Sequence, residues 1–261
     1  MPLIVSTHSY RGGTGKSNVT ANLAAALASR GKRVAVVDTD IQSPGIHVLF
    51  RQEPEAMTPT LNNYLWGHCR IAETAHDVTA ATVDGQGACA VPAGGALFLI
   101  PSSIKAGEIA RILKEGYDVN LLNDGFQELL TELQLDLLLI DTHPGLNEET
   151  LLSLAISDAL VLLLRPDQQD YQGTAVTLEV ARRLDVPNLM VAINKALPSL
   201  DFATLRDRVS RLYKAPVAAV LPLSEDLMAM GSSGLFSLHS PSHAWAQGIH
   251  SLADQVLGAR D

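Results

Sequence analysis

Short, almost unbroken apolar runs recur along the chain, each followed by turn-forming residues and then by a stretch with helical spacing. That alternation predicts parallel βα units. The runs place strands at residues 3–7, 33–37, 97–100, 137–140, 159–164, 189–193 and 217–221. Because they are continuously apolar rather than alternating, they predict strands covered on both faces of a central sheet. The clearest helix runs from Lys16 to Arg30, with Val19, Leu23, Ala26 and Leu27 on one amphipathic face and Gly31 as its stop. The expected fold class is α/β, a mostly parallel central sheet flanked by helices on both faces in a Rossmann-like three-layer arrangement. Residues 51–95, with Trp66, His68 and several Pro and Gly, break the rhythm and read as a helical insertion with loops. In the tail, Trp245, Ile249, Leu252, Ala253 and Val256 fall on one helical face. That face suits a core-closing helix better than a membrane-surface one, which would carry Lys or Arg opposite it.

Composition narrows the class. With 261 residues, 47% of them hydrophobic and 18% charged, the chain has the core-forming content of one globular domain, here taken as residues 1–261. The net charge of −9 opposes unspecific attraction to DNA. Cys69 and Cys89 are too few and too far apart for a disulfide framework or a paired-thiol metal site, which fits a reducing, cytoplasmic setting. The apolar start at Leu3–Val5 is too short for a signal peptide, and no run reaches the roughly 20 residues of a spanning helix.

The chemistry concentrates in Tyr10-Arg11-Gly12-Gly13-Thr14-Gly15-Lys16-Ser17, between the first strand and the first helix. Glycines there let successive backbone N–H groups turn around an anion, and the helix adds its positive end. Lys16 then suits the β and γ phosphates and the Ser17 hydroxyl suits magnesium. Gly12, Gly13, Thr14, Gly15, Lys16, Ser17 and Asn18 are therefore the candidate nucleotide-binding residues of a P-loop NTPase. The general pattern asks for glycine where Tyr10 stands. The variant with two adjacent glycines after a basic residue resembles the deviant Walker A loop of the MinD/ParA family, with Arg11 at the position of the signature lysine. In that family the lysine reaches the partner's nucleotide across a dimer; the resemblance implies the same for Arg11, whose other reading is an ordinary surface charge.

Two further segments carry acids at strand ends, where open parallel sheets bind ligands. They are Asp38-Thr39-Asp40 and Asp141-Thr142-His143-Pro144-Gly145, the second resembling a Walker B strand and switch. The resemblance implies that Asp38 and Asp141 support the magnesium shell with Ser17, that Asp40 orients the attacking water, and that Lys16, Asp40 and Arg11 are the catalytic set. By themselves Asp38 and Asp40 also suit a turn or a helix cap. Gly145 is a plausible hinge. Asn194-Lys195 lacks the Asp two residues later that guanine recognition needs. The resemblance implies that Asn194 contacts adenine and that Pro222 lines the base; Asn194 as a helix cap is the alternative.

What the resemblance implies is a magnesium-dependent ATPase acting as an ATP-gated homodimer, slow until a protein adaptor or activator stimulates it, that positions an intracellular cargo. DNA is a disfavoured partner, although Arg206, Arg208, Arg211 and Lys214 form a local basic helix, and no membrane anchor is evident. An iron–sulfur carrier or scaffold ATPase and an ATP-dependent metabolic ligase are the alternatives on the same fold. The first would need paired cysteine ligands.

Overall fold

The computed structural model describes residues 1–259. Eight strands form one sheet: β1 (Leu3–His8), β2 (Arg33–Asp38), β3 (His76–Asp77), β4 (Ala96–Ile100), β5 (Leu137–Asp141), β6 (Ala159–Leu164), β7 (Asn188–Ala196) and β8 (Val217–Pro222), in the order β3-β4-β2-β5-β1-β6-β7-β8. All neighbours are parallel except β3, which runs antiparallel to β4. Seven of the strands are the apolar runs of the sequence, shifted at their ends by up to three residues. β3 has no apolar run at all and exists only through its pairing with β4.

The helices are α1 (Lys16–Ala28), α2 (Leu61–Leu65), α3 (Ala106–Glu115), α4 (Asn120–Glu132), α5 (Glu148–Ala155), α6 (Gln168–Arg183), α7 (Phe202–Tyr213), α8 (Glu225–Ala229), α9 (Phe236–His239) and α10 (Ala244–Gly258). Successive residues of each strand feed opposite faces. Leu137 and Leu139 pack with α1 and α10, whereas Leu138 and Ile140 pack beneath Phe126 and Leu129 of α4. On the β6–β7 side, Leu160, Leu162 and Leu164 join Leu178 of α6 and Val209 of α7. This double burial is why the strands read as unbroken apolar runs.

Helix α1 corrects one expectation. It is not an amphipathic surface helix: every residue from Val19 to Ala28 is buried, because the sheet covers one side and α9 and α10 the other. Its alanines at 21, 24, 25, 26 and 28 let those neighbours approach closely from all directions. It ends at Ala28 rather than Arg30, and Gly31, at φ +79°, turns the chain toward β2. The 51–95 stretch is also less helical than expected. It holds the five-residue α2, three short 3-10 turns and the edge strand β3, and it sends Leu61 and Ile71 into one core and Met57 and Val78 into the other. The tail helix α10 buries Trp245, Ile249, Leu252, Ala253 and Val256 as its spacing suggested.

Candidate functional site

The loop from Ser9 to Gly15 leaves β1 at the sheet's centre and turns directly into α1. Gly13 and Gly15 sit at φ +77° and +89°, conformations in which a side chain is strained. At Gly15 space also forbids one, since a Cβ would lie 2.6 Å from the Asn194 amide nitrogen. No side chain caps α1, so its first N–H groups are left to the loop and whatever the loop encloses. Ser9, Gly12 to Asn18, Asp40 and Pro144 line a cavity of about 240 Å³ at this point.

Beneath the loop the cations and acids interlock. Lys16 Nζ donates to Asp141 Oδ1 at 2.6 Å, Ser17 Oγ to Oδ2 at 2.7 Å, and Thr20 Oγ1 to Oδ1 at 3.0 Å. Asp38 is the register partner of Asp141 on the adjacent strand, and its carboxylate accepts from the backbone N–H groups of Asp40 and Gly45. Burial, then the charge of Asp141, pushes Asp38 up to about 8 against the pull of Lys16. Burial also raises Asp40, opposed by Lys16 and by His143, whose Nε2 lies 3.8 Å from Asp40 Oδ1. His8, at the end of β1, is fully buried with Nδ1 2.7 Å from the Thr142 hydroxyl; burial and then Lys16 lower it to about 3, so it stands neutral.

The other wall is built differently. Asn194 Nδ2 donates to the Thr14 carbonyl at 2.8 Å, and its Oδ1 accepts from Trp245 Nε1 of α10 at 3.3 Å. Lys195, at φ +56°, swings its Nζ to the Gly13 carbonyl at 2.9 Å. These two residues brace the outer backbone of the loop, a role their sequence gave no sign of. Asn194 is 3% exposed and both ends of its amide have protein partners; it caps no helix. A second cavity of about 210 Å³ opens here, walled by Gly15, Asn194, Pro222, Leu223, Met228 and Trp245.

Arg11 lies apart from the acids at strand ends. Its side chain is 42% exposed, with Nη1 3.7 Å from Asp170 Oδ1. Asp170 itself is buried on the first turn of α6 and accepts from the backbone N–H, Nε and Nη2 of Arg165. Burial raises its carboxyl, but the hydrogen bonds and charge of Arg165, with the charge of Arg11, hold it below the usual range. The Asp167–Asp170 spacing, an N-cap followed three residues on by an acid, was the available signal for this turn. Tyr10 lies against Gly173, where any Cβ would meet its ring at 2.1 Å. The basic helix α7 is largely engaged by its own neighbours: Arg206 on the Val217 carbonyl, Arg208 over the Tyr171 ring and Arg211 on the Asp207 carbonyl. Among the described residues no group of three or more His, Cys, Asp or Glu could hold a metal ion, and Cys69 and Cys89 are free thiols.

The donor set fits a magnesium nucleotide: an uncapped helix start, a buried lysine, a hydroxyl beside two carboxylates, and a buried Thr14 hydroxyl without a protein partner in the loop. Residues 5–238 match the CobQ/CobB/MinD/ParA nucleotide binding domain.

The chain belongs to that family.

An uncharacterised ATP-binding protein of Methanocaldococcus jannaschii is 25% identical over 262 residues, covering 100% of this chain and 89% of that protein. The cytosolic Fe-S cluster assembly factor CFD1 of Chaetomium globosum is 32% identical over 183 residues, 70% of this chain and 54% of that one. Among solved structures, MinD of Pyrococcus horikoshii OT3, complexed with Mg-ADP, superposes with a TM-score of 0.80 at 20% identity, covering 98% of this chain and 96% of that chain. The eight-stranded sheet with helices on both faces is thus the fold of MinD. Among the described residues no helix is long and apolar enough to cross a membrane.

Proposed function

We propose that this chain is a magnesium-dependent ATPase that acts as an ATP-gated homodimer. The observation that carries the reading is the convergence of Lys16, Ser17 and Thr20 on Asp141 directly after the glycine-rich loop, with Asp38 and Asp40 on the neighbouring strand end. Magnesium ATP would supply the γ-phosphoryl group and the metal charge that neutralises it. The chain supplies the rest. The N–H groups of residues 12 to 18 cradle phosphate, and Lys16 exchanges its carboxylate partner for phosphate oxygens. Ser17, Asp38 and Asp141 hold the metal and its waters. Asp40, at the edge of the cavity with His143 beside it, orients the attacking water. Asn194 and Pro222 stand at the mouth of the adjacent cavity, which takes the adenine. Arg11, tethered to Asp170 at 3.7 Å yet 42% exposed, leaves that carboxylate to reach a partner's phosphates.

In this reading turnover is slow, a protein adaptor or activator accelerates it, the setting is the cytoplasm, and the dimeric state positions a cargo. DNA remains a weaker candidate partner, since the arginines of α7 are engaged at home. A second reading, an iron–sulfur carrier ATPase, draws on the 32% identity to an Fe-S cluster assembly factor; it requires cysteines at a dimer seam, and Cys69 and Cys89 both lie inside the 51–95 stretch, away from the strand ends that carry Asp38, Asp40 and Asp141. Calorimetry with magnesium ATP and sedimentation of an Asp40→Ala variant test the proposal together. Tight binding with a dimer that accumulates under ATP is expected; absence of binding heat removes the nucleotide reading, and a monomer under saturating ATP removes the gate. Arg11→Ala is expected to leave monomer affinity within about twofold while weakening dimer formation.

A further inference from the structure

On the far side of β2 from the phosphate loop lies a separate cavity of about 190 Å³, between the 3-10 segment Ile46–Phe50 and the loop that follows β4. It is smaller than either cavity beside the phosphate loop, so its occupant is smaller than a nucleotide. Its floor holds His47, which is 6% exposed and whose ring finds no hydrogen-bond partner among the described residues. Burial lowers the His47 ring below its ordinary value, and the charge of Glu53 opposes that. Neither ring nitrogen is sealed off, so an occupant can make there the hydrogen bonds that solvent in the cavity would otherwise supply. Ser103, 3% exposed, accepts the Lys105 N–H at its Oγ, and its own O–H donates to no described residue. Thr58 and Lys105 add donors at the rim, the Lys105 ammonium 3.4 Å from Glu108. Helix α3 starts from this wall at Ala106 with no side chain capping its first turn. Glu55 is the one carboxylate in the lining, and Met57 and Ile104 supply apolar surface.

The lining thus combines several hydrogen-bond donors with the hydrocarbon of Met57 and Ile104 and the single carboxylate of Glu55. From the unpartnered His47, the free Ser103 hydroxyl and the uncapped start of α3, we propose that this cavity binds the carboxylate of a small organic acid, with its short carbon chain against Met57 and Ile104. The occupant would lie one hydrogen bond from the nucleotide side, because Ser102, also in the lining, donates its hydroxyl to the Asp38 carbonyl at 2.7 Å. The inference does not depend on the ATPase reading, since none of these donors belongs to the phosphate loop.

Histidine-detected NMR on the full chain, titrated with succinate, glutarate and adipate and separately with inorganic phosphate, tests it, with the His47 signal assigned by His47→Gln. A saturable shift of the His47 ring by at least one of the acids is expected, with the rings of His8 and His143 beside the phosphate loop unmoved. Lys105→Ala, an exposed position that should not disturb folding, is expected to weaken that binding about fivefold or more. Three results would overturn the proposal: no saturation by any of the acids at tens of millimolar, shifts confined to His8 and His143, or phosphate moving His47 as strongly as the acids do. A Lys105→Ala variant that binds as tightly as the unaltered chain counts against it equally.

Discussion

The two walls that flank the phosphate loop are made of different interactions. On the β2–β5 side, buried full charges are balanced against each other within three ångströms, with Lys16 7% and Asp141 1% exposed. On the β7–α10 side, an amide and an ammonium hold main-chain carbonyls, and the rest is apolar contact. The first wall is expensive to disturb, because removing one member strands its partner in a poorly hydrated place. The second sets the loop's shape but leaves no buried charge unpaired when it fails, since the Lys195 ammonium is already in water. Chemistry that must respond to a ligand's charge therefore sits on one side, and loop geometry is held from the other.

The contrast is broken most severely at Lys16. Lys16→Ala leaves the buried Asp141 carboxylate without its cation, so it is expected to cost about 3–5 kcal/mol of stability in denaturant titration as well as nucleotide binding. A Lys16→Ala chain as stable as the original would show that Asp141 takes up a proton in place of the lost cation. Gly15→Ala attacks the opposite wall and the loop together. The left-handed backbone and the clash with Asn194 together predict a loss of about 2–3 kcal/mol, read from the shift in thermal midpoint.

Acidity separates the walls more finely. Asp38 titrates near 8 when folded but near 4 when unfolded, so the folded chain holds a proton the unfolded chain has released. Ligand-free stability should consequently fall as pH rises from about 4 to about 8, and Asp38→Asn should flatten that slope. His8 acts in the other direction: lowered to about 3, it releases its proton on folding, and its contribution is lost as pH falls from about 6.5 toward 3. Equilibrium unfolding across pH 3 to 9 would resolve the two limbs. The smallest effect belongs to Lys195→Ala. Its ammonium is exposed, so the lost contact to Gly13 is expected to change stability by no more than about 0.5 kcal/mol; a larger change would mean that the brace carries more of the loop than its exposure implies.

The charged wall was the legible one. Gly12 to Ser17, Asp38, Asp40 and Asp141 announce themselves because their residue types are rare in that order and fall at the ends of apolar runs. The bracing wall was not, since Asn194 and Lys195 act on backbone carbonyls, and a carbonyl has no sequence. Thr20 was hidden likewise, one turn into a helix whose register rather than composition brings its hydroxyl to Asp141. For the fold, β6 was read at both ends because six apolar residues sit between Asp158 and Arg165, while β3 could not be, being two polar residues made into a strand by a neighbour. The error over α1 has the same root: alanine leaves a helix ambiguous between exposed and enclosed, and only the later α10 decides it.

The hydrogen bond from Trp245 to Asn194 has a mechanical consequence. It ties the last helix, through one amide, to the carbonyl of Thr14 near the other end of the chain. Cutting the polypeptide ahead of residue 244 would delete that strut and leave the Asn194 side chain free to rotate away from the turn it steadies, so damage at the carboxyl end would surface as slackness in the anion-gripping bend more than two hundred positions upstream.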